Sequence, residues 1–223
     1  MRAVIFDFDG VLVDSEPLHY RAMRGALLGQ GVAIEEEEYW RHLLAHDDRG
    51  AIRIALERHG IPYDGARNEE LSRSKAAAFE SVLPGITFFP GVVELVRSLE
   101  REVPLAIASG ARRAEIEAIL QAGGLRDAFQ AVVGIDDVTR SKPHPEPYLT
   151  AMGRLTRRAP GLEPDQCVVI EDSNTGIAAG LAAGMKVLAV TNSFAAEKLS
   201  AAHRVVESLA GLDAASLRQL FAA

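Results

Sequence analysis

The chain has 223 residues, of which 48% are hydrophobic and 25% charged, with a formal net charge of −7. That is globular composition, enough for one large domain or a domain carrying an insertion. The acidic balance with no basic patch argues against a nucleic-acid partner, no apolar stretch is long enough to span a membrane, and the single cysteine, Cys167, excludes a disulfide framework.

The chain opens on Met1-Arg2 and a short apolar run that Asp7 interrupts. This lacks the pattern of a secretory signal, and one thiol fits a reducing compartment, so the cytoplasm is the expected location. Residues 3–8 have the β-branched and aromatic character of a strand buried on both faces. Asp7 and Asp9 stand two residues apart at its end, which on a strand points both carboxylates to the same side. Two like charges beside so apolar a run are costly unless something cationic holds them, and such placements mark sites. The competing reading is a strand edge with solvated acids. Gly10 then allows a sharp turn.

From Ser15 to about Leu83 the sequence has no convincing strand. The pattern predicts helices over 18–30, 34–44, 48–59 and 69–83, punctuated by Gly31, Gly60-Ile61-Pro62 and Pro84-Gly85. The acidic run at 35–38 reads as the solvated start of a helix. A helical block placed directly after the first strand reads as a cap, with connections near 14–16 and 84–89 as its hinge. The alternative is a long crossover with no gating role.

Beyond the block, strands are predicted at 104–108, 131–134, 167–170, 186–190 and, more weakly, 204–206. Amphipathic helices are predicted at 91–100, 111–122, 145–157 and 175–183. This alternation implies an α/β fold: a Rossmann-like parallel sheet in a three-layer core, helices on both faces, with an inserted small α-helical cap. The expected domains are a core of 1–14 and 86–223 and a cap of 15–85. Cys167, inside an apolar run, is expected to be a small buried hydrophobe.

Ligands in such sheets bind beyond the carboxyl ends of the strands, and the remaining polar signals fall there. Ser109-Gly110 follows Leu105-Ala106-Ile107-Ala108 and reads both as an anion site and as a helix N-cap. Lys142 sits in Ser141-Lys142-Pro143-His144-Pro145, where the prolines stiffen the loop and Pro145 opens a helix. Glu171-Asp172 closes Val168-Val169-Ile170, repeating the acids-after-apolar-run pattern of the first strand. Two acid clusters at strand ends suit a hard cation such as Mg2+, and no Cys/His cluster is available for zinc. Acids, a serine, a lysine and magnesium together suit phosphoryl transfer: one carboxylate attacks phosphorus in line, and a second, held off the metal, moves protons.

With these residues in place, the chain resembles the haloacid dehalogenase superfamily, in particular its β-phosphoglucomutase-like branch with a small helical cap. The motifs that carry the resemblance are Asp7-Phe8-Asp9-Gly10-Val11, Ser109, Lys142-Pro143 and Glu171-Asp172-Ser173, in that order. The resemblance implies Asp7 as nucleophile and metal ligand, and Asp9 as general acid/base with its carbonyl on the metal. It implies Asp172 as carboxylate ligand with Glu171 supporting, Ser109 with Gly110 and Lys142 on the phosphate, and N–H donors from Gly10 and Val11. Asn174 is expected near the metal-bound water. His19, Lys75, Arg49 in Ala45-His46-Asp47-Asp48-Arg49-Gly50, and Arg112 are candidate substrate contacts.

The activity this implies is a magnesium-dependent phosphatase of a small phosphorylated metabolite, with a sugar phosphate as the expected substrate. A phosphomutase, which passes the phosphate to a sugar hydroxyl instead of water, is the alternative. A non-catalytic phospho-ligand-binding protein is the alternative from another class. A monomer or weak homodimer is expected.

Overall fold

A computed structural model gives the structure of the chain and describes residues 1–44, 46, 48–82 and 86–222. In chain order the first elements are β1 (Ala3–Phe6), α1 (Glu16–Leu28), α2 (Glu36–Glu38), a π-helical turn (Tyr39–Leu43), α3 (Asp48–Arg58) and α4 (Gly65–Val82). There follow α5 (Val92–Leu99), β2 (Leu105–Ala108), α6 (Arg113–Ala122), β3 (Ala131–Val133) and α7 (Glu146–Leu155). The last are β4 (Cys167–Glu171), α8 (Asn174–Ala182), β5 (Lys186–Val190), β6 (Arg204–Val206) and α9 (Ala214–Leu220). The chain divides into two compact units, Met1–Asp14 with Thr87–Ala223, and Ser15–Ile86.

The first unit is built on a six-stranded sheet of order β3-β2-β1-β4-β5-β6, every pair parallel. β1, β2 and β4 are buried along their whole length, which is why they read as unbroken apolar runs rather than alternating ones. The order is that of doubly wound dinucleotide-binding folds, whose ligand crevice lies where the order reverses, beyond the carboxyl ends of the strands. Phe6 lies opposite Ile107 on β2 and Ile170 on β4. Asp7 and Glu171 therefore leave the sheet at one level. α5 buries Val92, Leu95, Val96 and Leu99, a helical stripe at i, i+3, i+4, i+7.

The second unit is helical and has its own core, in which Met23, Leu27, Ile34, Leu43, Ile52, Leu56 and Leu71 pack together. Each of these side chains contributes about 1.5–3 kcal/mol of burial free energy before entropy is counted.

Several element bounds differ from the sequence expectation for identifiable reasons. β1 ends at Phe6, because the Phe8 carbonyl accepts the N–H groups of Leu12 at 2.8 Å and Val13 at 3.2 Å in a turn. Strand alternation therefore does not set the directions of Asp7 and Asp9. α4 starts at Gly65 rather than 69, since Asp64 Oδ1 accepts the N–H groups of Ala66 and Arg67 at 2.8 and 3.1 Å, the geometry of an N-cap. The predicted helix over 34–44 is one exposed α-turn followed by a π-turn. α9, absent from the sequence reading, is seven residues long and is capped by Asp213, which accepts from the Ser216 N–H at 2.7 Å. Residue 83 of the predicted fourth helix, residues 84–85 of the proposed hinge, and Ala45 and Asp47 of the arginine-bearing stretch lie outside the described residues.

Candidate active site

Three strand ends supply the site, and one lysine ties two of them together. Asp7 follows β1 and anchors its N–H on the Ile170 carbonyl of β4 at 2.9 Å. Its carboxylate receives Lys142 Nζ at 2.6 Å. The same ammonium donates to Glu171 Oε1 at 2.7 Å and lies 4.8 Å from the centre of the Tyr148 ring. The Lys142 side chain is 12% exposed, so it is not a solvated surface lysine. Burial opposes its charge, but Asp7 and Glu171 outweigh burial and hold its pKa well above the ordinary value.

Glu171 is the last residue of β4, and its side chain is fully buried. Oε1 accepts from Lys142 and from the Tyr148 hydroxyl at 2.9 Å. Oε2 accepts the N–H groups of Asp172 and Ser173 and the Ser173 hydroxyl, each at 2.9 Å. Burial raises its pKa, but Lys142 and these donors prevail and the net shift is downward. The side chain fills the space beside Gly176, where a Cβ would come within 1.5 Å of Oε1.

Asp172, the next residue, has the opposite environment. Its partner is the Ser193 hydroxyl, bonded to Oδ2. Burial, then the charge of Glu171, pushes its pKa up to about 7, with Ser193 and Lys142 opposing. Asp7 is likewise pushed well above the usual carboxylate range, chiefly by burial, with Lys142 pulling the other way. Oxygens of Asp7, Glu171 and Asp172 lie within 4.8 Å of one another. Three carboxylates against one ammonium leave an excess of negative charge, and a divalent cation with hard oxygen preference fits that deficit and that donor set. Both Glu171 oxygens are already taken by donors, so Asp7 and Asp172 are the carboxylates suited to hold such an ion. Gly10, at φ +77°, closes over them. A Cβ there would sit 2.0 Å from Asp172 Oδ2, so the position combines a left-handed turn with a close approach.

Other predicted residues fall less simply. Asp9 is partly buried in the β1 turn and lies outside this carboxylate cluster. The Gly10 N–H donates to the Val13 carbonyl at 2.9 Å and the Val11 N–H to the Phe8 carbonyl at 3.4 Å, so the donors expected for phosphate are engaged within the turn. Ser109 is buried at the end of β2. Its N–H donates to the Val133 carbonyl at 3.0 Å, and its Oγ accepts the Ala111 N–H at 3.0 Å. It does not cap α6 as expected, because Gly110 and Ala111 separate it from extended Arg112, which occupies the cap position. Gly110 and Arg112 are exposed beside it, and Asn174 is exposed at the first position of α8.

In the second unit Lys75 is buried, paired with Asp48 Oδ1 at 2.9 Å and His19 Nδ1 at 2.8 Å. His19 stacks on Phe79 with centroids 4.1 Å apart. Burial and then Lys75 lower its pKa to about 4, so the ring is neutral near pH 7 and accepts from the lysine. Arg49 is exposed and paired with Glu69 at 2.6 Å.

The sequence reading missed Tyr148, Asn192 and Ser193. Asn192 Nδ2 donates to the Gly10 carbonyl at 2.8 Å, and Ser193 holds Asp172. A signal for this pair existed, a polar step directly after the apolar β5, the same pattern that marked the other strand ends.

The relatives agree with the geometry. Residues 4–190 match the family of haloacid dehalogenase-like hydrolases. The chain is similar to fructose-1-phosphate phosphatase YqaB of Escherichia coli K12, 34% identical over 187 residues, which cover 84% of this chain and 95% of that protein. Hexitol phosphatase B of the same strain is 33% identical over 190 residues, 84% of this chain and 82% of that protein. Among solved structures, CbbY from Rhodobacter sphaeroides in complex with phosphate superposes with a TM-score of 0.82 at 27% identity, covering 98% of this chain and 99% of that one. The family matched over so much of the chain, on a parallel sheet with acids at its strand ends, makes this protein a haloacid dehalogenase-like hydrolase.

Proposed function

We propose that this enzyme is a magnesium-dependent phosphatase of small phosphorylated metabolites, of the sugar-phosphate class, working through a phosphoryl-aspartate on Asp7. The observation that carries the reading is the Asp7–Lys142–Glu171 arrangement with Asp172 beside it. The names of the fructose-phosphate and hexitol phosphatases favour the substrate class.

In this reading Asp7 Oδ attacks phosphorus in line, forming the O–P bond as the ester oxygen departs. Asp9 protonates that oxygen, then takes a proton from the water that attacks phosphorus and regenerates the Asp7 carboxylate. Lys142 and Ser109 hold the transferring oxygens. Asp7 and Asp172, with the Asp9 carbonyl, would hold magnesium, which when bound supplies positive charge against the phosphate oxygens. Glu171 keeps Lys142 charged and aimed, and Tyr148 fixes Glu171. The helical unit is proposed as the cap that reads the remainder of the substrate. Arg49 is exposed on it and paired with Glu69, whereas Lys75 is committed to Asp48 and His19.

The test is phosphate release from a panel of hexose and hexitol phosphates with Mg2+, scored also for isomerised sugar phosphate. Release is expected for wild type. It should fall by a factor of about 10^4 or more in Asp7→Asn, with the far-ultraviolet circular dichroism unchanged. Turnover surviving in a folded Asp7→Asn removes the nucleophile. Isomerisation without release replaces water by a sugar hydroxyl as the acceptor.

A further inference from the structure

We propose that a second, non-catalytic site at the β3 edge of the sheet binds a small molecule carrying a phosphate or pyrophosphate dianion. A cleft of about 350 Å3 opens there, within the range of small-ligand pockets. Arg113, Arg126, Arg154, Arg157 and Arg158 line it, with Glu117 as the acid among them.

The arginines come from three stretches of chain, at 113, 126 and 154–158. Arg113 Nε and Arg126 Nη2 share Glu117 Oε1 at 3.0 and 3.4 Å. Arg154 spans the Val132 carbonyl and Asp137 Oδ1, both at 2.6 Å. Asp136 accepts the Arg113 N–H at 2.9 Å. Arg157 and Arg158 are exposed and have no side-chain partner among the described residues. Five arginines against these three acids leave two positive charges in excess, in a chain whose net charge is −7. Three of the guanidinium groups are already held in place, so their remaining N–H donors are ordered before any ligand arrives. Arginine forks of this kind match phosphate oxygens two at a time.

The cleft shares no residue with the candidate active site. Gln130 and Ala131 place it at the amino end of β3, while the acids stand at the carboxyl ends of the parallel strands. α7 connects the two regions: Tyr148, near its start, bonds Glu171, and Arg154 sits in its last turn. The charge of Arg154 is ordinary at a helix carboxyl end. The excess from Arg157 and Arg158 beyond the helix is not, and it makes the cleft an anion pocket.

Isothermal titration with inorganic pyrophosphate, magnesium-free and at about 0.15 M ionic strength, tests this in wild type and in Arg157→Ala/Arg158→Ala. Both side chains are exposed, so the substitutions leave the core intact. Saturable binding is expected in wild type, weakened about tenfold or more in the double variant. The magnesium-dependent kcat and KM for a generic phosphomonoester should stay within about twofold, because no catalytic group is touched. Indistinguishable isotherms for the two proteins overturn the site. So does wild-type binding that never saturates and vanishes as salt is raised, since that is diffuse screening by a basic surface.

Discussion

Magnesium binding to the metal-free protein is expected to expel protons, by an amount that the structure sets. Asp172 titrates at about 7 because it is buried beside the charge of Glu171. A carboxylate must be ionised to ligate a metal, so whatever proton Asp172 carries leaves when the ion enters. For a pKa of about 7, the release is about 0.9 proton at pH 6, 0.5 at pH 7 and 0.1 at pH 8. Asp7, also raised by burial, adds to these figures, so they are lower bounds. From this group alone, apparent affinity should therefore fall about fivefold, or about 1 kcal/mol, from pH 7 to 6 and about tenfold for the next unit. The assay is calorimetric titration of Mg2+ in buffers of differing ionisation enthalpy, where the slope of observed against buffer enthalpy gives the protons released. A slope near zero at pH 6 would refute the reasoning: it would mean that Asp172 stays charged without a cation, or that it is no ligand.

Ser193→Ala removes the hydroxyl that stabilises the ionised Asp172. It should move the proton-release curve to higher pH and weaken magnesium binding by about 10–100-fold, while kcat at saturating magnesium changes little; unaltered magnesium affinity counts against a positioning role. Lys142→Met leaves Asp7 and Glu171 buried without their cation, and it should destabilise the core unit by about 3–5 kcal/mol in urea unfolding; a loss under about 1 kcal/mol would show that the pair is effectively solvated. In the helical unit, His19 has a folded pKa near 4 against an ordinary 6.5. Above about pH 6.5 it is neutral in both states and costs nothing, whereas between there and about pH 4 the unfolded chain gains a proton that the folded unit refuses, removing up to about 3 kcal/mol of that unit's stability. Fluorescence of Trp40, the single tryptophan and a member of this unit, should report a flatter acid limb in His19→Gln; coincident limbs would exclude the linkage.

What was legible in the sequence was local. Apolar runs at 3–6, 105–108, 167–170 and 186–190 stand where buried parallel strands must, and polar residues directly after them fall at the carboxyl ends by construction. Asp7, Ser109, Glu171 and Asp172 were accessible that way, and the family resemblance supplied their expected roles. The illegible parts depend on pairings between distant segments. Lys142 stands out in its proline-stiffened loop, but only folding shows that its Nζ meets Asp7, 135 positions away, and that Tyr148 lies against it. The arginine cleft was hidden for the same reason: Arg154, Arg157 and Arg158 are close in sequence, but only folding brings Arg113 and Arg126 beside them. The Gly10 and Val11 N–H groups bond within their turn, and a turn that presents donors outward and one that closes on itself have the same sequence signature.

The adjacent pair Glu171-Asp172 carries the strongest physical argument for a metal. Both are acids, both are buried, and they are neighbours in the chain, yet their pKa values move in opposite directions. Glu171 still belongs to the ladder, opposite Ala189 of β5, whereas Asp172 is the first residue beyond it. Their oxygens lie within 4.8 Å of one another, yet the two surroundings offer different company. One supplies an ammonium, two hydroxyls and two backbone N–H groups, which fix the charge of Glu171. The other supplies the Ser193 hydroxyl and leaves Asp172 near half protonation at neutral pH. A buried carboxylate so poorly compensated is costly to maintain unless a cation completes its surroundings. The two carboxylates therefore divide the work: Glu171 keeps the lysine charged whether or not metal is present, and Asp172 makes the site's charge balance depend on it.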